Sequence, residues 1–573
     1  MAPRLMSEGG DAPLALPRPQ RSSRPGEPGA LLDNALSRRA LLGQAATAAA
    51  LATLPPGRAS AGTPKRGGTL AIRLWDPPHW DPYLTLAFRT QVPYTFTHSR
   101  LLRHRAGPAA PPGSFQFEGD LAESWSQPDE LTYVFKLRRG VRFHPKPPVN
   151  GRELTADDVV YSMERFRTLK GNPQAYMLAV VDRVEAVDRY TVKFTVKEPY
   201  AWFLDMIANP MTLAIVAREC VERFGDLKKA EATVGTGPWM LENYRPNTGF
   251  TLVRHPSYFL PGLPLIDRID VTIDDDNASR LAAFLAGKYD LGWENAGAIN
   301  RTDWNAMKDQ VRRHRPTLRT AEYPSNVVYR VFMRTVKAPF SDVRVRRAIS
   351  LALNRKEIID GVADGIGRLN GAVPIAFRDW ALPVDQLGDG ARFFRHDPAE
   401  ARRLLAEAGY PRGFASVMDF NNYGSSFMDD AIALILKDLK AVGIDARLNQ
   451  KEYGAYIATS ATGNYEAMYY GATPFLDPDN YLYTNYAPGH PRNVAKVNDP
   501  VLTDLLVRQR RTADPAARRR LLHEIQRHVA GQQYIMEIYS PVVIFVWDPK
   551  LKNYGPNLGY DYGGRLTAAW LDR

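Results

Sequence analysis

Alternation of apolar and polar positions marks the first elements. In 132–138 (TYVFKLR) the side chains of Tyr133, Phe135 and Leu137 fall on one face, and 190–196 (YTVKFTV) alternates without a break. A period of two predicts half-buried strands. Further along, the period lengthens to that of a helix. Ala401, Leu404, Leu405 and Ala408 form one stripe, introduced by Asp397-Pro398-Ala399-Glu400 and closed by Gly409. An acid at the cap, proline at the first helical position and Glu at the third are helix-start signals, and glycine is a stop. Ile432, Ile435, Leu436 and Leu439 predict a second helix ending at Gly443, after which 444–448 reads as a strand. A third helix starts at Ser341 and buries Val345, Ala348, Ile349 and Ala352, and a short strand is expected at 289–292. The mixture predicts an α/β fold. There is no internal repeat and no low-complexity stretch after Gly62.

The first 61 residues follow other rules. Residues 40–54 are uncharged and dominated by Ala and Leu. A run of this length is too short to span a bilayer, which takes ~20 apolar residues, and fits a secretory signal. Pro55-Pro56 ends it, and Ala59-Ser60-Ala61 has the small-x-small pattern of a cleavage site. We therefore read 1–61 as an export signal with a Pro/Gly/Arg-rich extension, cut after Ala61. Ser37-Arg38-Arg39 ahead of the apolar run resembles a twin-arginine signal, with Leu41 where that pattern carries Phe, so the general secretory route stays open. No cysteine lies near the cut to carry a lipid. The expected location is the periplasm, without an anchor.

Composition then narrows the chemistry. A chain of 573 residues is long enough for more than one lobe. Its formal charge of +12 is spread over interleaved Lys, Arg, Asp and Glu, with Arg518-Arg519-Arg520 the densest cluster. That cluster falls in a helical stretch and reads as a solvated face, so no nucleic-acid partner is expected. Cys220 is the single cysteine, and no internal disulfide is possible. Metal-protease, nucleophile-elbow, phosphate-loop and paired-cysteine patterns are all missing. The ten histidines are scattered, with His144 and His255 in loops beside prolines. Gly365-x-Gly367 follows a helix and is no dinucleotide fingerprint. Asp274-Asp275-Asp276 lacks the glycine and closing Glu of a calcium loop and reads as a turn. No cofactor or metal is expected, and binding leads over catalysis.

Several stretches resemble the peptide/nickel family of ABC-transporter solute-binding proteins, extracellular family 5. Gly67-Gly68-Thr69-Leu70 opens as that family does. GDLAESW (119–125), TYVFKLRRGVRFH (132–144) and LTADDVVYSMER (154–165) resemble its signature region. VGTGPWMLENY (234–244), HPSYF (255–259), PFSDVRVRRAISLALNRKEII (339–359), DPAEARRLLAEAGYPRGF (397–414) and DPDNYLY (477–483) follow in the family's order. The resemblance implies a two-lobed α/β periplasmic-binding-protein fold, type II-like, with an extra subdomain. Lobe I would span 62–322 and the tail 540–573, with the subdomain at about 99–226. Lobe II would span 323–539, and chain crossings at 323–326 and 539–541 would form the hinge. It further implies a monomer that captures a small molecule or short peptide between its lobes and delivers it to an inner-membrane ABC permease. An exported enzyme on the same fold is the competing reading.

On that fold, ligand contacts come from loops at strand ends facing the hinge. Lobe I offers Trp75 and Trp80 after the first strand, and Trp293, Glu294 and Asn295 after the short strand. Asn326 and Tyr329 lie at the hinge. Lobe II offers Asn421 and Tyr423 ahead of the helix at 427–442, then Tyr470, Thr473 and Phe475. Asp477, before a proline, reads as a helix cap. In the family's dipeptide binders a carboxylate three residues before this Asp-Pro pair holds the ligand's amino group. Here that position is Pro474, so a free-amine peptide is disfavoured unless an acid such as Glu294 or Glu466 substitutes.

Overall fold

The computed structural model describes residues 63–573, apart from 111–115, 295–296, 424, 557–558 and 573, and gives Thr473 by its backbone alone. The export signal expected over 1–61, and Asn295, lie outside the described residues.

The first sheet has four strands, in the order Thr69–Leu74, Arg268–Ile273, Gly249–Arg254 and Trp239–Arg245. The first two pair in parallel, Leu70 opposite Ile269. Leu70, Ile72, Trp239 and Leu252 are fully buried beneath it, and the end of the chain returns to the same core with Leu551, Leu566 and Leu571. A second, antiparallel sheet holds both strands expected from alternation, Thr132–Leu137 and Thr191–Val196, side by side at its centre. Phe135 and Phe194 are fully buried there, each worth ~1.5–3 kcal/mol of burial. The helix Ala156–Thr168 packs on this sheet and starts with a reciprocal capping box between Thr155 and Asp158.

The third sheet has five strands in the order Ile444–Gln450, Phe414–Phe420, Met468–Thr473, Val328–Met333, Ile535–Tyr539. Phe414–Phe420 and Ile444–Gln450 are parallel, so the chain between them must cross over, and the helix Ser426–Ala441 makes that crossing. The helices read from apolar spacing appear at Val343–Ala352, Pro398–Glu407 and Ser426–Ala441, the first two capped by Asp342 and Asp397.

Two chain segments join this sheet to a three-stranded one. Arg319–Pro324 runs into Val328–Met333, and Ile535–Tyr539 runs into Val542–Trp547. The segments lie side by side: Pro324 pairs with Val542, Tyr329 with Tyr539, and the Ser325 N–H donates to the Pro541 carbonyl at 2.9 Å.

Two sequence expectations need correcting. Residues 289–292 form no strand; Leu291 makes a single bridge to Trp547, whose other neighbours already belong to a ladder. Arg518 does not lie on a solvated face. It is 8% exposed, with its guanidinium over Trp202 at 4.5 Å and over Trp380 at 5.5 Å. His144 and His255 lie in loops, as expected, and are deeply buried there, edge to face at 4.9 Å. Burial holds His144 well below the usual imidazole range.

Candidate functional site

A chain of connected chambers runs along the two joining segments. The central chamber, about 190 Å³, is walled by rings from distant parts of the chain, among them Trp75, Phe88, Tyr423, Tyr453 and Tyr560. Trp75 follows the first strand, and Phe88 opens the helix Phe88–Thr97. Tyr560 comes from the returning tail and stacks on Phe88 at 4.5 Å. Tyr329 closes the inner end, stacked on Tyr539 at 5.0 Å across the paired strands. Burial pushes the hydroxyls of Tyr329, Tyr423 and Tyr453 upward, and that of Tyr560 to about 12. The wall therefore presents apolar faces and neutral hydroxyls.

A polar chamber of about 500 Å³ adjoins it through Trp75, Arg89, Tyr423 and Ser425. Here Arg73 is almost fully buried. It pairs with Asp275 at 2.9 Å and donates to the Glu294 carbonyl. Burial and the nearby Arg280 lower its pKa to about 10, which leaves it charged at neutral pH. The half-buried Glu294 carboxyl accepts from the Asn300 N–H at 3.0 Å and from the Asn300 side chain. Burial, then the Asp303 carboxylate, push its pKa up to about 8, so it is mostly protonated at pH 7. A third chamber, about 180 Å³, lies against the joining segments and includes Asn326 and Glu294.

No helix among the described residues is long and apolar enough to cross a membrane, and no group of three or more metal-ligating side chains occurs among them. The cleft is a place to hold something, with opposing walls from both ends of the chain and from the five-stranded sheet. The family model for bacterial extracellular solute-binding proteins, family 5 (middle), matches residues 116–493, well over half of the chain.

The chain belongs to this family. Di/tripeptide-binding protein 3 of Pseudomonas aeruginosa (strain UCBPP-PA14) is 30% identical over 479 residues, covering 77% of this chain and 85% of that protein. Heme-binding protein A of Haemophilus influenzae is 29% identical over 78% of this chain and 84% of its own length. Among solved structures, the periplasmic binding protein DppA of Helicobacter pylori in complex with the peptide STSA superposes with a TM-score of 0.76 at 23% identity, covering 89% of this chain and 99% of that one. The fold is thus the two-lobed α/β fold of periplasmic binding proteins, and the family member described here is a solute-binding receptor of an ABC importer. The relatives are binding proteins, which favours the receptor over the exported enzyme.

Within this solute-binding protein, Trp75, Glu294, Asn326, Tyr329, Tyr423 and Phe475 line the connected chambers. Asn326 is 2% exposed, and its side chain is spent on the Phe475 carbonyl at 2.7 Å. Four expected residues do not reach the space. Trp80 is buried beneath the first sheet, edge to face with Tyr244 and Phe250. Trp293 packs at 5.3 Å against Phe284 in a separate core, and Tyr470 lies behind the wall between Tyr329 and Phe420. Asn421 is a staple: its Oδ1 accepts from the Tyr423 N–H at 2.7 Å and its Nδ2 donates to the Lys451 carbonyl at 2.9 Å. Thr473 ends the strand Met468–Thr473, paired with Val328. Asp477 caps the following helix through the Asn480 N–H.

Pro474 lines the central chamber, and no acid among the described residues does. Of the two acids considered as substitutes for the amine anchor, Glu294 borders the cleft and Glu466 is exposed elsewhere. Sequence reasoning missed Phe88, Arg89, Phe427, Tyr453, Arg492 and Tyr560. For Tyr560 a signal existed, an aromatic pair in a glycine-rich tail (GYDYGG). The others carry no local mark.

Proposed function

We propose that this receptor is exported through its N-terminal signal, captures a small peptide-like or opine-like solute in the aromatic cleft, closes on it and hands it to an inner-membrane permease. The observation that carries this reading is the cleft itself, which lies where two chain segments join the five-stranded sheet to the rest. The moving bodies are 62–322 with 540–573, carrying the subdomain at about 99–226, against 323–539. The protein acts as a monomer in the periplasm without a lipid anchor. N-terminal sequencing of the secreted protein should begin at or near Gly62, and an intact N-terminus would overturn the export reading.

The relatives named above bind di- and tripeptides or heme, so peptides lead the search. Pro474 stands where the amine-holding acid would be, and no carboxylate of the described residues lines the central chamber, so an α-ammonium held there has no ionised partner, and an unpaired desolvated charge is costly. Free-amine dipeptides should therefore bind poorly and N-blocked peptides or opines better. A ligand that binds only the folded form adds ~2.7 kcal/mol at a hundredfold excess over its dissociation constant. A thermal-shift screen of peptides, opines, oligosaccharides and metal chelates should give a hit. Silence across the whole screen would overturn the reading, and sub-micromolar binding of free-amine dipeptides would overturn the argument from Pro474.

A further inference from the structure

The central chamber carries charge of one sign. Among the described residues, Arg89 and Arg492 line it, and no carboxylate does. The two cations differ. Arg89 is partly neutralised: it lies 3.8 Å from Asp275 and over the Tyr453 ring at 4.8 Å. Arg492 is half-buried, its guanidinium sits over the Phe475 ring at 5.7 Å, and it forms no ion pair with a carboxylate of the described residues. The Phe475 ring offers a weak, non-specific attraction compared with an anion.

The loop that carries Arg492 is fixed. Its N–H donates to His490 Nδ1 at 3.1 Å, and the next residue, Asn493, donates its amide to the Ala487 and Val497 carbonyls at 3.0 and 2.7 Å. His490 packs edge to face on Tyr176 at 4.5 Å, and burial drops its pKa to about 3, so it adds no charge. The guanidinium is thus held at the junction of the central chamber and the smaller one beyond Pro474. A planar guanidinium fork matches a carboxylate bidentately, and a desolvated cation gains most from such a partner.

We infer that Arg492 anchors a carboxylate of the transported solute, with the solute's apolar or aromatic body against Phe88, Tyr423 and Tyr453. This deepens the receptor reading and rests on it. It also matches the position of Pro474: the acid that would attract an amine is missing from the central chamber, beside a cation that no carboxylate of the described residues pairs.

The test uses matched pairs that differ only in charge. N-acetyl-L-phenylalanine, N-acetyl-L-tryptophan and N-acetylated dipeptides with a C-terminal aromatic residue are titrated beside their C-terminal amides, by thermal shift and calorimetry. The wild type should prefer acids over amides by roughly thirtyfold or more, the usual consequence of removing one partner of a desolvated charge pair. R492Q should bring that ratio close to one, and R492K should fall between. An R89Q control should change the ratio less, because Asp275 already partners Arg89. Equal binding of acids and amides by the wild type, or an acid preference that survives in R492Q, overturns the assignment. The wild-type ratio decides even if R492Q does not fold. Hits confined to neutral or cationic compounds overturn the carboxylate anchor and leave the receptor reading standing. No hit in either this panel or the wider screen overturns both.

Discussion

Glu294 shows how one side chain makes the cleft sensitive to pH. Its carboxyl sits among the Asn300 donors and beside Asp303, and its pKa is pushed up to about 8, first by burial and then by Asp303. In the unfolded chain it ionises near the ordinary Glu value of ~4.3. Between these two values the folded protein binds a proton that the unfolded chain has lost. Stability from this group is therefore fully present below about pH 4 and is lost as pH rises toward 8. A glutamine mimics the protonated acid, with an N–H₂ that replaces its donated proton. E294Q should melt close to the wild type at pH 5 and above it at pH 9. Melting curves across pH test this, and a wild-type-to-variant difference independent of pH would show that Glu294 is ionised in the fold. At this scale the sequence spoke unevenly. It marked Trp75, Tyr329 and Tyr423, but it equally marked Trp80, Trp293 and Tyr470. A large ring in a loop after a strand fits a cleft wall and a core plug alike, and only packing against Phe250, Phe284 or Phe420 separates the two.

At the level of elements, local patterns were readable wherever the deciding forces are local. Asp397 and Asp477 each cap the helix that follows them, because a carboxylate satisfies orphan N–H groups whatever the tertiary surroundings. Alternation found the two central strands of the antiparallel sheet for the same reason. The cleft was not readable in this way, since Trp75, Phe88 and Tyr560 meet only when the tail returns to the first sheet. The turn ahead of the helix Ser426–Ala441 lies between these cases. Tyr423 there has φ of 53°, a left-handed conformation that a non-glycine residue holds only with help. Asn421 supplies that help through its two hydrogen bonds. N421A leaves the Tyr423 N–H and the Lys451 carbonyl without their partner and should cost roughly 1–3 kcal/mol. It should also weaken binding of any hit from the screen, although Asn421 touches none of the chambers. N421D keeps the acceptor for Tyr423 and should retain most of the affinity. Unchanged affinity in N421A, measured by calorimetry, would show that Tyr423 holds its place unaided.

The whole molecule poses a harder problem, because closure of the cleft needs surfaces that part. Residues near 200 are tightly joined to helices that the proposed boundaries assign to the other lobe. The Ala201 N–H donates to the Arg510 carbonyl at 2.7 Å, Trp202 Nε1 to Gln509 at 2.9 Å, and the Tyr200 hydroxyl to Asp479 at 3.1 Å. Arg510 pairs with Asp479 at 3.1 Å while lying over the Tyr200 and Tyr483 rings. Trp202, Gln509 and Asp479 are all buried. Such a polar network is stable only when every member is satisfied, so it is either formed in full or opened in full. If 323–539 moves as one body about the two joining segments, the network must open in the unliganded protein and form on closure. The Ala201 amide should then exchange its hydrogen quickly without ligand and slowly with a saturating hit from the screen, and scattering should report a smaller radius of gyration in the second state. Protection of Ala201 in both states, with the radius still falling, would place the helices Pro478–Tyr486, Pro500–Arg511 and Pro515–Gln532 with the subdomain. The moving lobe would then be narrower than 323–539, centred on the five-stranded sheet, and W202A would lower global stability by ~3–5 kcal/mol without changing the extent of closure.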